Sequence, residues 1–241
     1  MNDIKAQIEE LKKAAESGDP EAQSQWGLFL ATGDSVPQDI EEGLVWLRKA
    51  AEQGELTAMF NLGVILENGL DCKPDPDEAA LWYWQAAELG DTQARMKLGT
   101  MLLRGRGFSA ESPVVAAIEA SAERGLPYAQ SFYAKLYLEG IGVEQSNQTA
   151  EKWFRIAAAR GDESAVFNLG EMMALSITVL TPQEELSQWF FDLGMGHLQA
   201  GDIVKAFDCL VGIKRIDPES FLALRLEDDI ERANQAQRPR E

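Results

Sequence analysis

The 241-residue chain is poor in cysteine, histidine and positive charge. Cys72 and Cys209 are its two cysteines, which rules out a disulfide scaffold and suits a reducing compartment. A single histidine, His197, removes most histidine-based metal sites and catalytic triads. Only 22 basic residues face 40 acidic ones, a net charge of −18. That balance weighs against nucleic acid and anionic membranes as partners, because both repel it, and leaves room for a basic protein. No apolar run approaches the ~18 residues of a membrane-spanning helix. The N-terminus, MNDIKAQIEELKK, places Asp3, Glu9 and Glu10 where a signal peptide needs an apolar stretch, so a cytoplasmic location is the expectation. At this length one domain or one continuous array is favoured over several domains.

Internal periodicity is the strongest signal present. Marker glycines stand at Gly18, Gly54, Gly90, Gly125 and Gly161, separated by 36, 36, 35 and 36 residues. Four residues after each comes Ala22, Ala58, Ala94, Ala129 or Ala165, and nine after comes Gly27, Gly63, Gly99, Ala134 or Gly170. A large apolar residue precedes the latter: Trp26, Leu62, Leu98, Tyr133, Leu169. Eight before a marker glycine stand Trp46, Trp82, Ala117 and Trp153, followed by the small pairs Ala50–Ala51, Ala86–Ala87, Ser121–Ala122 and Ala157–Ala158.

Each unit predicts two helices. The first begins after the marker glycine, with small residues five apart on a face that lets a neighbouring axis come close. It ends at a glycine turn, Gly33, Gly69, Gly105 or Gly140, where positive φ stops a helix. The second carries the aromatic and the small pair. Asp19, Asp91 and Asp162 are placed to cap the next helix, with Pro20 at a tolerated first-turn position. A hairpin of this size cannot cover its own apolar face and must stack. The aromatic eight before the glycine and the leucine eight after it are therefore expected in the inter-helix core. The fold class is all-α, an α-α superhelix.

The pattern A-x-x-x-L-G-x-x-x-x-x-G followed by W-[YFL]-x-x-A-A-x-x-G, as in AMFNLGVILENG at Ala58–Gly69 and WYWQAAELG at Trp82–Gly90, resembles the Sel-one-like repeat, a relative of the tetratricopeptide repeat. YLEGIGV at Tyr137–Val143 is similar to that family's glycine-rich turn. The resemblance spans about residues 14–175. Repeat three departs from it through Ala117, a one-residue deletion and the turn RGRG at Arg104–Gly107. The resemblance implies a right-handed solenoid of antiparallel helix pairs that binds other proteins.

After Gly161 the period breaks at a β-branched connection that includes Ile177, Thr178 and Val179. Trp189 falls in the aromatic register, while Phe190, Leu193, Gly194, His197, Gly201, Ala206 and Pro218 have spacings similar to a tetratricopeptide motif. His197 stands where that motif carries a packing tyrosine, and a structural role is expected of it. The organisation predicted is a capping helix over 1–17, five repeats over 18–180, a tetratricopeptide-like motif over 181–217, a second capping helix over 218–235 and a disordered tail over 236–241. The closing helix places Phe221, Leu222, Leu226 and Ile230 on one face.

The sequence offers little to catalysis. It has no G-x-S-x-G, phosphate loop, H-E-x-x-H or paired C-x-x-C. Secreted cysteine-rich relatives in the family are associated with β-lactam binding or hydrolysis, but their recurring cysteine pairs are missing here. Asp71, Asp75, Asp77 and Glu78 crowd one turn without the central glycine and closing glutamate of a calcium loop. They read as a solvated, helix-capping turn, and Cys72 among them as an incidental thiol. No cofactor and no metal are expected.

Charge is uneven along the chain. Residues 1–54 carry 11 acids and 5 bases and 55–90 carry 7 and 1, whereas 91–125 carry 4 and 5 and 126–161 carry 3 and 4. Residues 162–241 return to 15 acids and 7 bases. In the near-neutral centre Arg95, Lys97, Arg104 and Arg106 cluster, either as a solvated face or as a basic anchor for an acidic partner segment.

Likeness to tetratricopeptide arrays implies a concave groove lined by the first helices. Its candidate residues are Phe60, Val64, Met96, Lys97, Lys135 and Phe167, continued by Phe191 and Met195. Such residues suit an apolar peptide or helix; packing between repeats is the equal alternative. The Lys/Asn set that grips a terminal carboxylate in chaperone-binding relatives is absent, since Asn61 and Asn168 lack partner lysines. The function expected is a non-catalytic interaction scaffold or adaptor holding a protein or peptide. The alternatives are an antitoxin- or immunity-type inhibitor of a basic toxin or effector and, far behind, a divergent hydrolase.

Overall fold

The computed structural model describes residues 2–175, 183–217 and 219–236. The β-branched connection, Pro218 and most of the predicted tail lie outside these. Thirteen helices and no strand occur among the described residues. Two compact units are present, Met1–Ala117 and Ile118–Glu241, and the division falls inside helix α7 (Pro113–Glu123).

The first unit contains α1 (Asn2–Glu16), α2 (Pro20–Thr32), α3 (Ile40–Glu52), α4 (Leu56–Asn68), α5 (Pro76–Glu88) and α6 (Thr92–Leu103). From α1 to α6 each helix packs on the next, and α2 also reaches α4, which is the nearest-neighbour pattern of stacked hairpins. Their starts are set by side-chain caps. Asp19 accepts from the Ala22 N–H at 2.8 Å and Asp91 from the Ala94 N–H at 2.7 Å. Glu55 caps α4 in the same way through Ala58, a role its residue type did not signal. Gly33 and Gly69 end α2 and α4 with φ of +72° and +67°. Helix α6 ends one residue earlier, at Arg104.

The hairpins close tightly where side chains are missing. A Cβ added at Gly27 would lie 2.9 Å from the Gly43 carbonyl oxygen and from the Leu47 nitrogen. One added at Gly43 would lie 2.8 Å from the Ala31 nitrogen and the Gly27 oxygen. The backbones of α2 and α3 therefore touch. At Gly63 the neighbour is the Tyr83 ring, 2.7 Å from the absent Cβ.

Burial corrects one expectation. The fully buried position of the second helices is seven before the marker glycine, occupied by Leu47, Tyr83, Ile118 and Phe154, all at 0% exposure. Two of the three tryptophans at eight before lie at the margin of the core. Trp46 and Trp153 are half-buried, whereas Trp82 is buried as expected, at 9% exposure. The indole N–H of Trp46 donates to Glu42 and that of Trp82 to Glu78. A tryptophan with one wet edge meets its hydrogen-bonding need there.

The second unit contains α8 (Pro127–Glu139), α9 (Asn147–Ala159), α10 (Glu163–Ala174), α11 (Gln183–Gln199), α12 (Ile203–Ile216) and α13 (Phe221–Ala236). α8 and α9 form a hairpin and α10 packs on α9. Beyond them α10 packs on α12, while α11, α12 and α13 pack on one another. Phe154, Leu169, Phe190, Cys209, Ile213 and Leu226 share one core. Burial pushes the Cys209 thiol up to about 12, so it packs as an apolar side chain. On α13 the buried face is Ala223, Leu226 and Ile230, and Phe221, assigned to that face from its spacing, is exposed.

Gly99 differs from its counterparts at Gly27 and Gly63, because a Cβ there would meet nothing within 4 Å. Opposite outcomes follow for one substitution. Gly99→Ala should raise unfolding stability by about 1 kcal/mol through helix propensity, whereas Gly27→Ala should lower it by about 1–3 kcal/mol because a backbone must move. Denaturant midpoints of the two variants check both signs.

Candidate partner-binding cleft

In the first unit α4 and α6 border a cleft of about 500 Å³ lined by Phe60, Glu67, Gln93, Met96, Lys97, Thr100 and Arg104. The repeat explains the placement. Phe60 and Met96 hold the same register in successive first helices, six residues after Gly54 and Gly90. Phe60 is half-buried, its ring tilted 56° on Tyr83 at 5.6 Å between centroids. Met96 is 73% exposed.

Glu67 is the polar centre of the cleft and is buried. Its carboxylate accepts from the Tyr83 hydroxyl at 3.1 Å and from Lys97 Nζ at 3.0 Å. Lys97 Nζ also lies 6.0 Å from the centre of the Tyr83 ring. Burial first, then the Glu67 charge, drives the Tyr83 phenol far above its ordinary range, which keeps it a neutral donor. Glu67 was not singled out in the sequence; its signal is an acid inside the apolar run LGVILEN of a first helix.

The predicted basic cluster resolves into residues with separate duties. Arg95 donates to the Ala87 carbonyl at 3.3 and 3.2 Å, and Arg106 donates to the Glu67 carbonyl at 3.2 Å. Lys97 is held by Glu67. Arg104 is exposed, lines the cleft and makes no ion pair among the described residues. Of the four, Lys97 is tied to a carboxylate, Arg95 and Arg106 are exposed and hydrogen-bonded to backbone carbonyls, and Arg104 is the guanidinium that lines the cleft.

The remaining groove candidates are not among the residues that line this cleft. Val64 and Lys135 are half-buried, and Phe167 is 50% exposed on α10. Phe191 is 6% exposed, packed in the core of the second unit beneath the Arg225 guanidinium at 5.1 Å. It cannot line a surface groove. Met195 packs partly against the same core.

The acidic turn after α4 serves structure. Asp75 caps α5 through the Glu78 N–H at 2.9 Å, and Asp71 accepts from Gln38 at 2.9 Å. Glu78 takes two hydrogen bonds of 3.0 Å from Arg48. Burial raises the Glu78 carboxyl, but Arg48 and Trp82 outweigh it and hold it below the usual range. Burial and Asp71 raise the Cys72 thiol against the pull of Arg48, which leaves it a poor nucleophile. No group of three or more metal-ligating side chains is assembled among the described residues, and none of their helices is long and apolar enough to cross a membrane.

Stacked helix hairpins with a mixed apolar and charged cleft define a helical-repeat protein. More particularly, the chain carries Sel1 repeats, matched by the Sel1 repeat family model at residues 20–55, 56–91 and 127–162. Among solved structures it is similar to a protective antigen present in uropathogenic Escherichia coli strains that displays an SLR fold, with 28% identity over 93% of this chain and a TM-score of 0.45. The chain spans only 48% of that protein. A Sel1 repeat protein from Oxalobacter formigenes is 29% identical over 95% of this chain and 78% of its own, with a TM-score of 0.39. An immunity protein from Pseudomonas aeruginosa is 20% identical over 83% and 74%, with a TM-score of 0.37. No curated protein sequence matches the chain significantly.

His197 lies beside a small void of about 10 Å³ shared with Asp162, Glu163, Lys205 and Asp208. The Asp208 Oδ2 is buried there without a hydrogen-bond partner among the described residues. Burial first, then Glu163 and Asp202, raises the Asp208 carboxyl, opposed by His197. The folded state therefore holds the Asp208 proton more tightly than the unfolded chain. Its contribution to stability is present in the ordinary carboxylate range and is lost as pH rises through the raised value. Asp208→Asn should raise the melting temperature at pH 7, with the gain shrinking towards pH 4 in a thermal scan series.

Proposed function

We propose that this chain is a non-catalytic protein-interaction module that holds a segment of a partner protein in the cleft between α4 and α6. Sel1 repeat proteins generally serve as interaction scaffolds. The observation that carries the reading is the pairing of a half-buried aromatic, Phe60, with the strongly exposed Met96 beside a buried Glu67 satisfied by the part-exposed Lys97. Apolar anchors around a rigid polar centre are what a small recognition site needs. Residues 1–54 are acidic by 11 to 5, and such a surface favours encounter with a partner that carries basic regions outside the bound segment.

Affinity capture from the native cell with the full chain and with a Phe60→Ala/Met96→Ala variant tests this. The variant should keep its helical circular dichroism and lose the captured partner by about tenfold or more, the usual cost of removing two anchors. Equal capture by a folded variant would falsify the cleft as the binding surface.

A further inference from the structure

We infer that the segment recognised by this cleft pairs an apolar side chain with a carboxylate, the first seated on Phe60 and Met96 and the second on Arg104. The inference rests on the reading above and adds the chemistry of the occupant. Three charged side chains line the cleft: Glu67, Lys97 and Arg104. The first two neutralise each other at 3.0 Å, and the carboxylate also receives the Tyr83 hydroxyl. The charge left to a ligand is the Arg104 guanidinium, exposed at the end of α6. A planar guanidinium with free donors is suited to two parallel hydrogen bonds from a carboxylate.

Geometry sets the spacing. Met96 on α6 and Arg104 at its C-cap are eight positions apart, about 12 Å at 1.5 Å per residue. An extended peptide covers that distance in about three or four residues. The occupant is therefore a short extended segment with an aliphatic or aromatic residue three or four positions from an Asp or Glu. The exposed amide of Gln93 and hydroxyl of Thr100 stand on the same helix to meet the backbone of such a strand. The net charge of −18 does not oppose this, since screening limits its reach to about 10 Å and the cleft lining itself is net positive.

The probes are two fluorescein-labelled peptides of a Ser/Gly backbone with one leucine, carrying Glu or Lys four positions later, titrated into the full chain and followed by anisotropy. The Glu peptide should bind about tenfold or more tightly than the Lys peptide, as expected for one charge-assisted bidentate contact. Arg104→Glu should reverse that order, and Met96→Ala should weaken both peptides. An order unchanged in Arg104→Glu, with Met96→Ala still weakening both, overturns the carboxylate assignment while the cleft survives. No saturable binding of either peptide to the wild-type chain overturns the inference outright, and the capture experiment then decides the interaction module on its own.

Discussion

Backbone-to-backbone contact between α2 and α3 is the constraint on which the first unit depends. With no Cβ at Gly27 and Gly43, each helix sits where the other's side chains would otherwise stand. That approach explains the small residues at fixed register. Ala58, Ala94, Ala129 and Ala165 are at most 1% exposed, and the pairs Ala50–Ala51, Ala86–Ala87 and Ala157–Ala158 are fully buried. It also fixes which neighbour of the aromatic register goes inside. When axes are close, one residue per turn points straight into the joint, and Leu47, Tyr83, Ile118 and Phe154 take it. Trp46 and Trp82, one residue earlier, send the indole N–H to the carboxylate one turn back, Glu42 and Glu78.

Polar contacts then set the register between neighbouring repeats. Arg48 donates to Glu78 and Lys97 to Glu67, each pair 30 residues apart. Both span a period less about six residues, the offset between a position on one hairpin and the place that faces it on the next, while Gln53 donates to Gln23 within the α2–α3 hairpin. Half-exposed pairs of this kind add little stability each, but a hairpin slipped by one turn would forfeit all of them. Glu67 does more than the others, because its burial requires both of its donors. The rigid Glu67–Lys97–Tyr83 group is therefore a consequence of stacking, and the cleft is formed around it.

Much of this was legible in the sequence. The glycine spacing revealed the hairpins, their turns and three of the caps, because those features are local and each has a residue type that carries it. Packing depth was less legible. The choice between adjacent positions such as Trp82 and Tyr83 depends on helix rotation, which two apolar residues in a row do not encode. The same ambiguity misplaced Phe191, expected in the groove and found in the core, and Phe221, expected on a buried face and found exposed. The contacts of the basic cluster were hidden for a different reason. Arg95, Lys97 and Arg106 find partners among backbone carbonyls and a buried acid up to 39 residues away, and carbonyl acceptors leave no trace in a sequence.

The cleft opens where the repeat is least regular, and the two facts have one cause. The family model matches 20–55, 56–91 and 127–162, leaving unmatched the segment that contains α6. In that segment Ala117 replaces the aromatic, the turn carries RGRG, and the small residue Gly99 has no neighbour to accommodate. Helix α6 also exposes Met96 and Leu103 at 73% and 80%, which a repeat held to the common pattern would cover. Selection for stacking alone would refill these positions, since a buried methionine and an alanine at Gly99 both favour the folded chain. The proposed binding cleft draws on these same features: a wall fixed by the Glu67–Lys97 pair, an uncovered Met96 and the exposed Arg104 guanidinium.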